Sequence, residues 1–324
     1  MTNQLFMYPN FSKGGVSAVL RGRAANFPNI NYFALFEHDR HGDDVFDSFE
    51  NIQSGIVRPD RRRAYLTYIT SHYDISLVSI LSNPTAVSEF AESPDAYICY
   101  EFHSSDMNIV KSELDRLDAT RVDEFRVPSE YMAGRLERLG SMHVSRRLRV
   151  VPNLVDSTVF GEHGVADFFA RSRDDRSQTA LTPLIWVGRF DRGKGYTHFL
   201  RALANLPDNY HAYFVVSLES DPSRMLGFLG EAAALGVSDR LSIFTDISPA
   251  VLANMFRSAR DLGGHLVSTS LLESFGYSVA EALACGLTVR AFDLPVWREH
   301  VGFSSKGIVV PPGDVRGLAA SIVS

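Results

Sequence analysis

Short apolar runs of strand length alternate with amphipathic stretches of helix length along almost the whole chain, in two successive series. Strands separated by helices of this size point to parallel α/β sheets covered on both faces. In the first series, strands are expected at Gln4–Tyr8, Asn31–Phe36, Ile75–Leu81, Ala96–Phe102, Phe125–Val127 and Leu148–Val151. Helices are expected between them at Val16–Asn26, Arg61–Ser71, Thr85–Glu92, Met107–Leu117 and Glu130–Leu139, with a polar loop over Glu37–Gly55. Asp156–Thr182 breaks the pattern, with Arg171, Arg173, Asp174, Asp175 and Arg176 close together and no long apolar run. The series then restarts. Strands are expected at Leu184–Val187, Ala212–Ser217, Leu241–Thr245, His265–Ser268, Thr288–Phe292 and Gly307–Val310. Helices are expected at Gly195–Asn205, Ser223–Leu235, Pro249–Ala259, Gly276–Cys285 and Val296–Val301, and from about Val315. The reading is two Rossmann-like domains, 1–160 and 177–324, joined by a linker over 161–176. In such sheets, ligands sit beyond the carboxyl ends of the strands.

Composition narrows the partners. The 324 residues are 45% hydrophobic and 22% charged, enough to bury two cores. The net charge is 32 − 38 = −6, which argues against a nucleic-acid binder. Met1 to Gly14 lacks the features of a signal peptide, no apolar run reaches the ~20 residues of a membrane span, and Cys99 and Cys285 have no metal-ligand spacing. A cytoplasmic location is expected.

The strand Leu184–Val187 runs into Gly188-Arg189-Phe190-Asp191-Arg192-Gly193-Lys194-Gly195. Arg189 and Lys194 thus lie at a strand end just before a helix start, where free N–H groups and the helix dipole favour phosphate. Read alone, the segment is equally a solvated turn. It nearly matches the phosphate loop of nucleotide hydrolases, but Gly195 replaces the Ser or Thr that holds magnesium there. Gly276-Tyr277-Ser278-Val279-Ala280 approaches a nucleophile elbow, yet Leu271–Phe275 separates the serine from its strand, so Ser278 belongs to the first turn of a helix.

Glu273 precedes Gly276, and Glu281 lies more than one turn inside the following helix, among Val279, Ala280, Ala282 and Leu283. First-turn amides near Gly276, Tyr277 and Ser278 can bind a diphosphate, and a carboxylate at Glu281 can accept bonds from both hydroxyls of a ribose. An acidic helix start stabilised by the dipole explains Glu273 as well, but Glu281 less so.

This segment resembles the family-4 retaining glycosyltransferases of GT-B fold. Glu273-Ser274-Phe275-Gly276, followed by Glu281-Ala282-Leu283-Ala284-Cys285-Gly286, resembles their E-x7-E stretch, and Arg189 with Lys194 resembles their diphosphate clamp. Ser129-Glu130-Tyr131, Pro152-Asn153-Leu154-Val155-Asp156 with Phe160, and Pro311-Pro312-Gly313-Asp314 resemble further signals of the family. Lys13-Gly14-Gly15-Val16 resembles its glycine pair at the first helix, and His103 stands where many members place a histidine beside the donor sugar. A simple strand-to-helix turn and a histidine bonded within its loop are the bland alternatives.

The resemblance implies two Rossmann-like domains facing a cleft and a metal-independent hexosyl transfer from a UDP- or GDP-sugar to a hydroxyl acceptor, with no cofactor beyond that co-substrate. Glu273, His103, Arg189 and Lys194 would act in the reaction. Gly14, Gly15, Arg189, Lys194, Glu273, Phe275, Gly276, Tyr277, Ser278 and Glu281 would bind the donor. The acceptor would be a glycan, a lipid-linked molecule or a small molecule. Alternatives are a phosphate-loop NTPase and a non-catalytic or epimerising sugar-nucleotide binder. Leu154 for the usual glycine, Thr269 for a common proline and Arg290 in a usually apolar strand depart from the pattern.

Three weaker signals remain. His38-Asp39-Arg40-His41-Gly42-Asp43-Asp44 is rich in ligand types but reads as a polar loop, and no Asp-x-Asp triplet occurs. The runs Arg58, Arg61, Arg62, Arg63 and Arg146, Arg147, Arg149 read as solvated faces. Peripheral membrane contact is not indicated, because residues 1–160 hold 17 basic and 21 acidic side chains.

Overall fold

A computed structural model describes residues 2–42, 44–89, 96–140, 142–169, 181–216, 223–245 and 247–324. It divides into two compact units, Met1–Asp156 and Ser157–Ser324. Strands of the first unit are β1 (Thr2–Met7), β2 (Asn10–Ser12), β3 (Ile30–Phe36), β4 (His38–Arg40), β5 (Ile52–Ile56), β6 (Ile75–Leu81), β7 (Tyr97–Glu101), β8 (Glu124–Val127) and β9 (Leu148–Val150). Its helices are α1 (Gly15–Asn26), α2 (Pro59–His72), α3 (Pro84–Glu89), α4 (Met107–Arg116), α5 (Glu130–Glu137) and α6 (Met142–Ser145). The main sheet is parallel, in the order β5-β3-β1-β6-β7-β8-β9.

The expected loop over Glu37–Gly55 is corrected. It contains β4, which pairs with β2, and most of β5, the edge strand of the sheet. Sequence misses β5 because of its five residues only Ile52 is buried, so it lacks the apolar run of an inner strand. The helix expected over Thr85–Glu92 is seen as Pro84–Glu89; residues 90–95 lie outside the described residues.

The second unit contains β10 (Thr182–Gly188), α7 (Tyr196–Leu203), β11 (Tyr210–Val216), α8 (Ser223–Ala234), β12 (Leu241–Thr245), α9 (Pro249–Asp261), β13 (His265–Ser268), α10 (Tyr277–Ala284), β14 (Thr288–Phe292), α11 (Phe303–Lys306), β15 (Gly307–Val310) and α12 (Val315–Val323). Its parallel sheet runs β12-β11-β10-β13-β14-β15, the doubly wound order. Buried Leu184, Trp186, Phe199, Phe214, Phe228 and Leu318 form its core. The helix expected over Val296–Val301 is a 3-10 turn, Pro295–Glu299, opened by a proline. Ser217, expected to end a strand, lies outside the described residues.

Residues 157–169 belong to this second unit. Arg257 of α9 donates to the carbonyls of Val159, Gly161 and Val165, and Phe168 N–H donates to Ser258. The remainder of the 161–176 segment, with its arginines and aspartates, lies outside the described residues. Arg290 is buried in β14 and donates from Nε to the carbonyl of Ser321 at 2.6 Å, which ties α12 to the sheet. A charge in that strand therefore serves as a helix C-terminal partner.

Candidate functional site

The sheet order of the second unit reverses between β10 and β13, which pair in parallel. The loops after these two strands, 189–195 and 269–276, therefore flank a topological switch point, where ligands of such sheets bind. Backbone and side-chain bonds join them. Leu271 N–H donates to Gly193 O at 2.8 Å, and Thr269 Oγ1 donates to Lys194 O at 3.2 Å while accepting from Trp186 Nε1 at 3.1 Å. Thr269, the residue that departs from the common proline, thus fastens one loop to the other. Gly195 has φ +63°, and a Cβ there would meet Thr269 O at 2.2 Å. Neither Ser nor Thr fits that position, so the loop does not match a magnesium-holding phosphate loop.

Lys194 Nζ donates to Glu273 Oε1 at 2.5 Å, and Ser270 Oγ donates to the same oxygen at 2.8 Å. Arg189, its side chain 55% exposed, pairs with Asp191 at 3.1 Å. Asp191 also accepts from Lys194 N–H at 2.9 Å. Each of the two expected cations is therefore matched by a carboxylate, and Asp191 and Ser270 are members of the cluster that sequence reasoning missed. They carry no motif; only the approach of the two loops reveals them.

Helix α10 opens at Gly276, which has φ +85° and offers no side chain to the first-turn amides. A Cβ at Gly276 would lie 2.3 Å from the Trp297 ring. Tyr277 and Ser278 occupy the first turn, so Ser278 sits in the helix and not on a strand-end elbow. Phe275 is buried, with Tyr277 against its edge at 4.9 Å. His300 braces this loop: its Nε2–H donates to Phe275 O at 2.8 Å, and its ring meets Phe275 at 4.7 Å. Burial pushes the His300 imidazole below its ordinary pKa, so the donor is the neutral ring. Glu281 is 6% exposed and Glu273 9%, so both carboxylates of the pair are buried.

In the first unit, Gly14 is the N-cap of α1 and Gly15 its first residue; Gly14 N–H donates to Ser12 Oγ at 3.4 Å. His103 follows β7, with its Nε2 3.1 Å from Glu101 Oε2. Ser129 caps α5 and Asp314 caps α12, which gives two of the family-like signals a structural task. In the segment His38–Asp44, Asp39 accepts from His41 N–H and Asp44 pairs with Lys13; Asp43 lies outside the described residues. Among the described residues, no three His, Cys, Asp or Glu side chains converge as metal ligands.

The basic runs are only partly solvated. Arg62 is corrected from a solvated face: it turns inward and pairs with Glu37 and Glu89. Arg147 likewise donates to the carbonyls of Ala119 and Val122. No helix among the described residues is long and apolar enough to cross a membrane.

Residues 173–324 match the Glycosyl transferases group 1 family. The match spans slightly under half of the chain. Both strand-end loops of the switch point lie inside it. The chain is 28% identical over 195 residues to a phosphatidyl-myo-inositol mannosyltransferase of Mycolicibacterium smegmatis, covering 58% of this chain and 44% of that protein. It is 30% identical over 171 residues to a D-inositol 3-phosphate glycosyltransferase of Xylanimonas cellulosilytica, covering 52% and 40%. The chain thus spans under half the length of these curated relatives. Among solved structures, Anabaena Alr3699/HepE, in complex with UDP and glucose, superposes with a TM-score of 0.80 at 16% identity, covering 100% of this chain and 89% of that one. Sucrose-phosphate synthase of Thermosynechococcus elongatus superposes at 0.73 and 20% identity, with the same coverage. The fold is α/β of GT-B type, with a parallel sheet in each unit. Within the matched segment, Arg189, Lys194, Glu273, Phe275, Gly276, Tyr277 and Ser278 lie on the two switch-point loops and the helix start that follows them, with Glu281 farther along that helix.

Proposed function

We propose that the chain is a retaining, metal-independent glycosyltransferase that moves a hexose-type sugar from a UDP- or GDP-sugar to a hydroxyl acceptor. The observation that carries this reading is the junction of two loops at the switch point of the second sheet, with Lys194 bonded to Glu273 across it. Lysine has three N–H donors and Glu273 takes one, so the ammonium can bridge the carboxylate and a phosphate oxygen. Arg189 and the first-turn amides of α10 take the rest of the diphosphate. Glu281 accepts from the ribose hydroxyls, and Glu273 with the Phe275–Gly276 backbone meets the sugar. The first unit is assigned the acceptor, and its Gly14, Gly15 and His103 are candidate contacts to donor or acceptor.

In the reaction, the bond from the sugar's anomeric carbon to the phosphate oxygen breaks and a bond to the acceptor oxygen forms on the same face. The acceptor's proton passes to the departing phosphate. Negative charge grows on the diphosphate, and fixed cations and amides stabilise it without reorganising. The UDP and glucose in the Anabaena structure favour this donor class, and the names of the relatives favour sugar transfer. The test is incubation with labelled UDP-, GDP- and ADP-sugars. Slow release of free sugar from a UDP- or GDP-sugar supports a transferase. Binding without turnover, or phosphate release from ATP, would replace it with one of the other readings.

A further inference from the structure

Glu101 ends β7 with its side chain 1% exposed. Arg23 of α1 grips it with two bonds, Nη1 to Oε1 at 2.9 Å and Nη2 to Oε2 at 2.6 Å. Arg126 of β8 stands 3.9 Å from Oε1 and is itself bonded to Glu124 of the same strand. Ser79 of β6 accepts from Arg23 at 3.5 Å. Burial alone would raise the Glu101 carboxyl, but Arg23 and His103 outweigh it and hold the group well below the usual carboxylate range. The side chain is therefore an ionised carboxylate, which accepts hydrogen bonds and has none to donate. His103 places Nε2 3.1 Å from Glu101 Oε2, so that nitrogen must carry the hydrogen.

Arg23, with two bonds to the carboxylate, is the first of the groups that keep Glu101 ionised, and His103 is the second. What the contact with His103 adds is direction. We propose that Glu101 is a positioning residue for sugar transfer: it holds the His103 ring by its Nε2–H at the carboxyl end of β7. Through Arg23, the same carboxylate anchors that ring to α1, the helix that opens at Gly14–Gly15. The positioning role rests on the function proposed above, whereas the state of the ring does not. A purely structural ion pair between α1 and β7 would need Arg23 and Glu101 but would not depend on His103.

The experiment uses the full chain labelled with 15N-histidine, with the His103 signals identified by their loss in His103→Ala. Two-bond proton–nitrogen spectra should place the proton on Nε2 in the wild type. In Glu101→Gln that preference should weaken, because a side-chain amide can donate as well as accept. With a turned-over nucleotide sugar, Glu101→Gln and His103→Ala should each lower kcat by about tenfold or more, since a misplaced substrate contact is costly. The double variant should lose no more than His103→Ala alone, because the first residue acts through the second. If Glu101→Gln does not fold, Arg23→Gln with Glu101→Gln removes both charges of the pair together and serves in its place. A wild-type proton on Nδ1, an unchanged tautomer in the variant, or losses that add in the double variant would overturn the proposal. Full turnover by His103→Ala would also overturn it while leaving the transferase reading intact. A wild type that turns over no nucleotide sugar would defeat the transferase reading and the positioning role with it, with the Nε2–H signal still observable.

Discussion

On the proposed reading, Glu281 is the residue whose removal should separate donor binding from the later steps. A buried carboxylate on α10 that accepts both ribose hydroxyls makes hydrogen bonds worth roughly 1.5–3 kcal/mol each. Glu281→Ala should therefore weaken binding of free UDP or GDP by about tenfold or more, as read by calorimetry. Unchanged affinity would remove Glu281 from the ribose. Glu273→Ala should leave diphosphate affinity nearly intact and lower turnover. Arg189 and Lys194 are the cations at the strand end, each already opposed by a carboxylate. Arg189→Ala and Lys194→Ala should each lower kcat/KM by about 10²–10³, the usual cost of losing one donor to developing charge. EDTA should leave the wild-type rate unchanged. Near-normal kinetics in both variants, or a loss on chelation restored by magnesium or manganese, would refute the assignment.

At the scale of elements, the entry into α10 depends on one backbone conformation. Gly276 combines φ +85° with a Cβ position 2.3 Å from the Trp297 ring, and Trp297 is buried and held by its Nε1–H bond to Phe292 O. Gly263, at φ +69°, has nothing within 4 Å of its Cβ position. Gly263→Ala should therefore cost only backbone strain, about 1–3 kcal/mol. Gly276→Ala should add overpacking of about 1–3 kcal/mol and lower the unfolding temperature further. Equal melting temperatures for the two variants would show that Trp297 gives way freely. The same loop is braced by His300, 25 residues on, so a helix start that reads as local in sequence depends on a distant side chain.

At the scale of the whole molecule, the second unit carries a shared acid sensitivity. Burial lowers the pKa of His198, His211, His265 and His300, and brings His265 down from 6.5 to about 4. Each is neutral in the fold, while the unfolded chain takes up protons first as pH falls. Their contribution to stability is therefore complete above 6.5 and is lost as pH drops towards the folded values, near 4 for His265. His265 alone accounts for at most about 3 kcal/mol, less what partial exposure to solvent screens. Denaturant unfolding between pH 7.5 and 4.5 should show stability falling in the wild type and a shallower fall in His265→Gln. Parallel pH profiles would exclude His265 as a source of the effect.

The alternation of strands and helices, their spacing and the side chains at the strand ends were legible in the sequence, because apolar periodicity and strand-end motifs are local. Leu241–Thr245, His265–Ser268, Thr288–Phe292 and Gly307–Val310 are strands with the expected bounds. Glu273, Glu281, Arg189 and Lys194 could be singled out by their places at a strand end and a helix start, and as pairs by the resemblance to a known family. Tertiary structure decided what those residues touch. Lys194 meets Glu273 across 79 positions, Arg23 meets Glu101 across 78, and Arg62 turns inward to Glu37 and Glu89. β5 was hidden because an edge strand buries too little to leave an apolar run, and it exists because β3 offers it a partner. Local pattern specifies which elements form. Which charges are neutralised, which ring is oriented and which glycine is obligatory follow from chain segments that meet only once both faces of each sheet are covered.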